Sequence, residues 1–247
     1  MRGRIFLAQR QVYAGLVLRV KLECTGWPVL PPNQIGTLPW RVAGAQSAIM
    51  VKEMCVAPVT LEGRYVRLEP LTLGHEEALS QVGLDADLWR WIPVPVRTRG
   101  EMAAYIEMAL RDQASGMALP FVQVEKASGR VVGSTRYANI ERAHHRLEIG
   151  WTWVGRAWQR TAVNTEAKYL LLRHAFETLE CMRVELKTDS LNERSRAAIE
   201  RIGAREEGIF RNHMITASGR VRHTVYFSIV DTEWPEVKKR LEMRLGH

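Results

Sequence analysis

The stretch RLEIGWTWVGRAWQRTAVNTEAKYLLLRHAFE, residues 146–177, decides the fold. Its first part alternates: Leu147, Ile149, Trp151 and Trp153 point one way, Glu148, Gly150, Thr152 and Val154 the other. A period of two marks a strand with one buried face. Residues 155–164 break that pattern, and residues 165–179 are rich in helix formers. The local order is strand, compact loop, helix. A helix start leaves its first N–H groups without internal partners, so this junction can hold an anion. Neither GxxxxGK[ST] nor GxGxxG occurs, so P-loop and Rossmann readings find no support. Asn164 serves equally well as a plain N-cap.

Upstream, residues 65–68 form a short strand, and 73–84 and 99–115 read as helices, the second stopped by Gly116. Residues 119–125 and 130–140 are β-rich and joined through Lys126-Ala-Ser-Gly129, a hairpin pattern. Downstream come a strand over 182–188, a helix over 192–202 ended by Gly203, a hairpin over 208–215 and 221–230, and an amphipathic helix over 234–245. The order β-α-α-β-β-β-α-β-α-β-β-α predicts an α+β fold, with a mixed, mostly antiparallel sheet of about seven strands flanked by helices.

Residues 1–53 read differently. Pro28, Pro31, Pro32 and Pro39 interrupt them, and seven cations against two anions place most of the net charge of +8 there. They are expected to be a leader outside the domain, either disordered or lying upstream of a true start at Met50 or Met54. The domain is expected over 54–247, and a chain begun at Met54 should keep fold and activity. Charge concentrated in such a leader argues against a nucleic-acid partner. No apolar run approaches the roughly 18 residues of a membrane span, and residues 12–20 make a poor signal peptide. Cys24, Cys55 and Cys181 are sparse and form no CxxC pair. A reducing, cytoplasmic compartment is expected, with no disulfide framework and no zinc site.

A second strand-to-helix junction, Thr188-Asp-Ser-Leu-Asn-Glu-Arg-Ser195, offers Asn192 as an N-cap, with Ser195 able to bond locally. Capping does not explain the whole string. With LEGRYVRLEPL (61–71), LEIGWTWV (147–154), NTEAKYLLLRHAFE (164–177) and RVELKTDSLNERSRAAIERIGA (183–204), the chain resembles the GNAT superfamily of N-acetyltransferases. Within it, the resemblance is to the branch of ribosomal-protein N-terminal acetyltransferases, and it runs from about Leu61 to the last helix.

The resemblance implies a sheet splayed between its fourth and fifth strands, with the pantetheine arm of acetyl-CoA inserted as a pseudo-strand. The arm would pair with the backbone of Thr152, Trp153 and Val154, and the Val154 N–H would face the thioester oxygen. The family's pyrophosphate motif, [QR]-x-x-G-x-[GA], falls on Gln159, Arg160, Thr161, Ala162, Val163 and Asn164. Ala162 and Asn164 depart from its small residues, so a working but altered loop is expected. Asn192 and Ser195 would touch pantetheine.

Acetyl transfer to an amine needs a neutral amine, a polarised carbonyl and a proton for the departing thiolate, with no covalent nucleophile and no metal. The resemblance places an acid at Glu148, as a partly buried base with raised pKa; an ion pair with Arg146 or another cation is the competing reading. The tyrosine that many members use as thiolate acid falls on Ile199, which leaves Ser195 as the expected replacement. Trp89 and Trp91, in LWRWIP (88–93), would line the acceptor pocket or pack in the core. The acceptor is a small-molecule or peptide amine, and the resemblance admits a homodimer. Two rival readings stand beside an active transferase. One is an acyl-CoA sensor of the same fold without turnover. The other is a nucleic-acid binder, which rests on the basic leader alone.

Overall fold

Short apolar runs punctuated by turns produce a single eight-stranded sheet in the order β1-β2-β3-β4-β5-β6-β8-β7. This computed structural model describes residues 54–246. The leader expected over 1–53, with Cys24, lies outside the described residues. The strands are β1 (Leu61–Glu62), β2 (Val66–Pro70), β3 (Leu119–Glu125), β4 (Val131–Glu141), β5 (Arg146–Val154), β6 (Arg183–Asp189), β7 (Arg205–Ile215) and β8 (Val221–Val230). The helices are α1 (Glu76–Gly83), α2 (Arg99–Ala114), α3 (Ala162–Glu177), α4 (Glu193–Arg201) and α5 (Trp234–Leu245). The strand beyond the predicted seven is β1, which pairs Leu61 with Leu68 and Glu62 with Arg67. Two residues are too few for alternation to show.

Every neighbouring pair is antiparallel except β5 and β6. Their parallel register covers only Arg146↔Arg183, Leu147↔Val184 and Glu148↔Glu185. Past Glu148 the two strands run on unpaired with each other, so the sheet opens there, as expected.

Each face has its own core. On one, Leu147, Ile149, Val184 and Leu186 pack with Leu170 and Leu171 of α3 and Trp234 and Leu241 of α5. On the other, Val122, Val124 and Trp153 pack with Met102 and Ile106 of α2 and with Trp89. The alternation predicted for β5 therefore fails halfway. Trp153 lies with the opposite core from Leu147 and Ile149, and Trp151 packs against that same opposite core. The cause is a bulge. Gly150 pairs with Arg136 and Trp153 with Ser134, so two residues of β5 oppose Thr135 alone. Trp151 takes up the extra residue at φ 53°, in the left-handed region.

The central helix begins at Ala162, three residues before the predicted start, because Thr161 caps it: Val163 N donates to Thr161 Oγ1 at 3.3 Å. Asn164 therefore lies inside the first turn and is not the N-cap. Two residues on, the buried Glu166 carboxylate accepts from Arg64 N at 2.8 Å, Tyr65 N at 2.6 Å and Val66 N at 2.8 Å. It pins the β1–β2 turn to α3.

Candidate active site

Glu148 is the last β5 residue paired with β6, and it is 3% exposed. Its Oε2 accepts from Asn139 Nδ2 at 2.7 Å and faces Lys187 Nζ, also at 2.7 Å. The ion-pair partner is thus Lys187 and not Arg146, whose guanidinium goes to Glu141 and Glu185. A full strand of neighbours makes the carboxylate buried where partial burial was expected. Beside it, a Cβ on Gly150 would come within 2.6 Å of Glu148 Oε1. Glycine at 150 is what leaves the carboxylate its place. Across from Gly150, the buried Arg136 guanidinium lies 4.5 Å from the Trp151 ring and 4.9 Å from that of Tyr105.

The other end of β5 leads into the candidate cofactor loop. Gly155 N donates to Val132 O of β4 at 2.8 Å, so strand alternation turns the N–H and C=O of Val154 the opposite way, toward the opening. Gln159 closes this corner: its Nε2 donates to Val154 O at 3.0 Å, and its Oε1 accepts from Arg194 Nη2 at 2.7 Å. Arg160 sits at φ 63°, a conformation that glycine adopts more readily. That turn leads the chain into the first turn of α3. Within the first turn, the buried Asn164 Oδ1 has no hydrogen-bond partner among the described residues.

These features fit acetyl-CoA. Unpaired helix N–H groups and the cations Arg160 and Arg194 suit a pyrophosphate, and an orphaned buried acceptor suits an amide N–H of the pantetheine arm. Thr152, Trp153 and Val154 are the backbone the arm would meet. Of these, the Trp153 side chain belongs to the core, and its carbonyl accepts from Gln123 Nε2 at 3.3 Å.

Asn192 caps α4 through Ser195 N, which donates to Asn192 Oδ1 at 3.1 Å. The cap thus accounts for Asn192 structurally, and the Ser195 hydroxyl makes no hydrogen bond among the described residues. Ile199 is buried in the α3-side core. Trp89 packs in the core, the second of the two readings open to it: its ring lies 5.2 Å from Tyr105 and 5.4 Å from Trp153, and its Nε1 donates to Gly83 O at 2.6 Å. Trp91 stays partly exposed, stacked against Arg90 and Arg220, and its carbonyl accepts from Arg222.

Sequence reasoning missed Lys168. It lies on α3, 8% exposed, with Nζ donating to Thr152 Oγ1 at 2.6 Å. Burial pushes its pKa from 10.5 down to about 7, against the attraction of the Glu148 carboxylate. A lysine inside a strongly apolar helix, in NTEAKYLLL, was the available signal. Among the described residues, no cluster of His, Cys, Asp and Glu could hold a metal ion, and no helix is long and apolar enough to cross a membrane.

Residues 66–205 match the family described as "Acetyltransferase (GNAT) domain". A Bacillus subtilis (strain 168) protein, YdaF, whose given name proposes a ribosomal N-acetyltransferase, is 34% identical over 106 residues. That alignment covers 43% of this chain and 57% of YdaF, so the chain spans little more than half of that relative. A GCN5-related N-acetyltransferase structure from Brucella melitensis is 36% identical with TM-score 0.71, covering 77% of this chain and 86% of its own. Mycobacterium smegmatis RimJ, solved with CoA-disulfide, shares the fold at TM-score 0.67 and 24% identity, over 76% of this chain and 95% of its own.

Proposed function

The chain belongs to the GNAT acetyltransferase family, and we propose that it moves an acetyl group from acetyl-CoA directly onto a primary amine, the N-terminus of a protein or peptide. The observation that carries this reading is the buried Glu148 carboxylate at the point where β5 and β6 part, with the Val154 N–H turned into the same opening.

In this reading acetyl-CoA supplies a thioester, and the residues of the chain do the rest. Residues 159–164 and the start of α3 hold the pyrophosphate, and the free edge of Thr152 to Val154 aligns the arm. Glu148 accepts the ammonium proton so that the amine lone pair is free to form the C–N bond. The Val154 N–H stabilises the charge that grows on the thioester oxygen. Ser195, with Asn192 holding the first turn of α4, offers its hydroxyl to the sulfur as the C–S bond breaks. Ser195→Ala is expected to lower kcat about 10-fold with little change in KM for acetyl-CoA, the effect of one hydrogen bond to a charged group. Unchanged kcat would remove Ser195 from the mechanism.

A peptide acceptor is favoured by the cleft beside Asn139, about 530 Å³. Its carboxylates Glu141, Glu185 and Glu207 are matched by Arg146 and Arg183, which suits a polypeptide better than a small polycation. Names among the relatives point the same way: YdaF is named for ribosomal N-acetylation. The test is free-thiol release from acetyl-CoA across short peptides and small amines. Release with peptide N-termini supports the proposal, and release with small amines alone reassigns the acceptor. Binding without release on any amine overturns transfer and leaves a sensor.

A further inference from the structure

A serine hydroxyl can hydrogen-bond a thiolate but holds its own proton too tightly to be the source of the one that sulfur needs. The buried ammonium of Lys168 is placed to supply it. Its Nζ donates to Thr152 Oγ1 at 2.6 Å, and that hydroxyl is 2.7 Å from Thr135 Oγ1 and 3.4 Å from Gly150 O. Thr152 belongs to the β5 bulge, on the stretch that has left β6. Thr135 and Thr152 bond to each other and Thr152 to Lys168 of α3, while Gly150 shares its face with Glu148 and faces Arg136. Lys168 and Glu148 therefore flank the opening from its two sides, the lysine on the α3 side where the cofactor loop begins.

We propose that Lys168 is the acid of the reaction, giving a proton from its Nζ to the departing CoA thiolate while Glu148 takes one from the amine. The proposal rests on the acetyl-transfer reading above. The protons balance. The acceptor ammonium gives one proton to Glu148 and, as the C–N bond forms, a second to water; Lys168 gives one to sulfur as the C–S bond breaks, and exchange with solvent then recharges Lys168 and deprotonates Glu148, so that one net proton is released per turnover. An amine with a pKa near 7 is a stronger acid than an ordinary thiol, so the transfer runs downhill. Of the charges around Lys168, Glu148 on β5 acts on it, and Glu148 is itself shared with Lys187 on β6. Ile199 stands where the resemblance would place a tyrosine, and Ser195, expected to replace it as the acid, is here left the part of a hydrogen-bond donor to sulfur.

Three measurements test it, two of them without turnover. In the free protein, NMR of the lysine side chains should show one Nζ titrating near neutral pH and lost in Lys168→Met. In the binary complex with CoA, the ultraviolet absorbance of the thiolate should show the bound thiol ionising at lower pH in wild type than in Lys168→Met. In turnover, wild-type kcat should fall as pH rises through the lysine pKa, and Lys168→Met should lose that limb with at least a 10-fold lower kcat at neutral pH. Lys168→Arg, which keeps the charge but does not release its proton, should restore the thiol pKa and leave kcat low. An ordinary lysine pKa, or a Lys168→Met protein with unchanged thiol pKa and kcat, overturns the proposal. Because the binary titration needs no acceptor, it stands even if the acceptor assignment fails.

Discussion

Glu148→Gln is expected to lower kcat/KM for the amine by about 10²–10³-fold at neutral pH, with the melting temperature nearly unchanged. The substitution is isosteric, and the glutamine oxygen can still accept from Asn139 Nδ2 and Lys187 Nζ, the two groups now 2.7 Å from Glu148 Oε2. What it removes is the ability to accept a proton. Raising the pH should narrow the gap to wild type measured at the same pH, because a growing fraction of the amine is then neutral without help. Gly150→Ala is the independent check: its Cβ would come within 2.6 Å of Glu148 Oε1 and push the carboxylate aside. It should therefore reproduce the kinetic defect while Glu148 itself is intact. The competing view, in which Glu148 only neutralises Lys187, predicts the reverse, a loss of stability with turnover kept. Thermal unfolding and steady-state rates on the same two variants decide between them.

The second large effect is on stability. Glu166→Ala should cost about 3–5 kcal/mol, read as a lower urea midpoint at unchanged m-value. One carboxylate collects three backbone donors, from Arg64, Tyr65 and Val66, across a hundred residues of sequence. Val66 is fully buried, so its amide, once orphaned, finds no water in exchange. Glu166→Gln should lose less, since its amide oxygen keeps one or two of these bonds while its NH₂ opposes the rest. Gly63→Ala should approach the alanine variant in severity, because the new Cβ would run into the Glu166 carboxylate. If Glu166→Ala unfolds at the wild-type midpoint, the clamp contributes nothing to stability.

Most of the architecture was legible because its elements carry strong periodicity. The spans 119–125, 146–154, 221–230 and 234–245 coincide with β3, β5, β8 and α5. Boundaries slipped where two residues compete for one role. Thr161 and Asn164 are both good caps, and Thr161 wins because its hydroxyl reaches Val163 N. Of the candidate site, the loop that leads into α3 and the capping role of Asn192 could be read locally, since each lies within a few residues of a helix start. The partner of Glu148 could not: Lys187 comes from a parallel neighbour strand, whose register no local pattern encodes. Trp89 and Trp91 look alike in sequence, yet one is core and the other stands at the rim, a distinction made by α2 and the β7–β8 hairpin. Lys168 was passed over because a lysine on a helix is usually solvated, and only tertiary burial makes it acidic.

The bulge at Trp151 has a consequence for how this protein can vary. Just past the point where it leaves β6, β5 carries one residue more than β4 across Thr135, so this irregularity is encoded in a length and in no particular side chain. Replacing residues one at a time would leave that surplus untouched. Removing a single residue there would take out the bulge: β5 would regain strict alternation with Thr152 and Trp153 still on the faces they now occupy, and what is lost is the local bend and the left-handed turn at Trp151. A scan of single deletions along β5, more than one of substitutions, would therefore reveal where the frame of the site is kept.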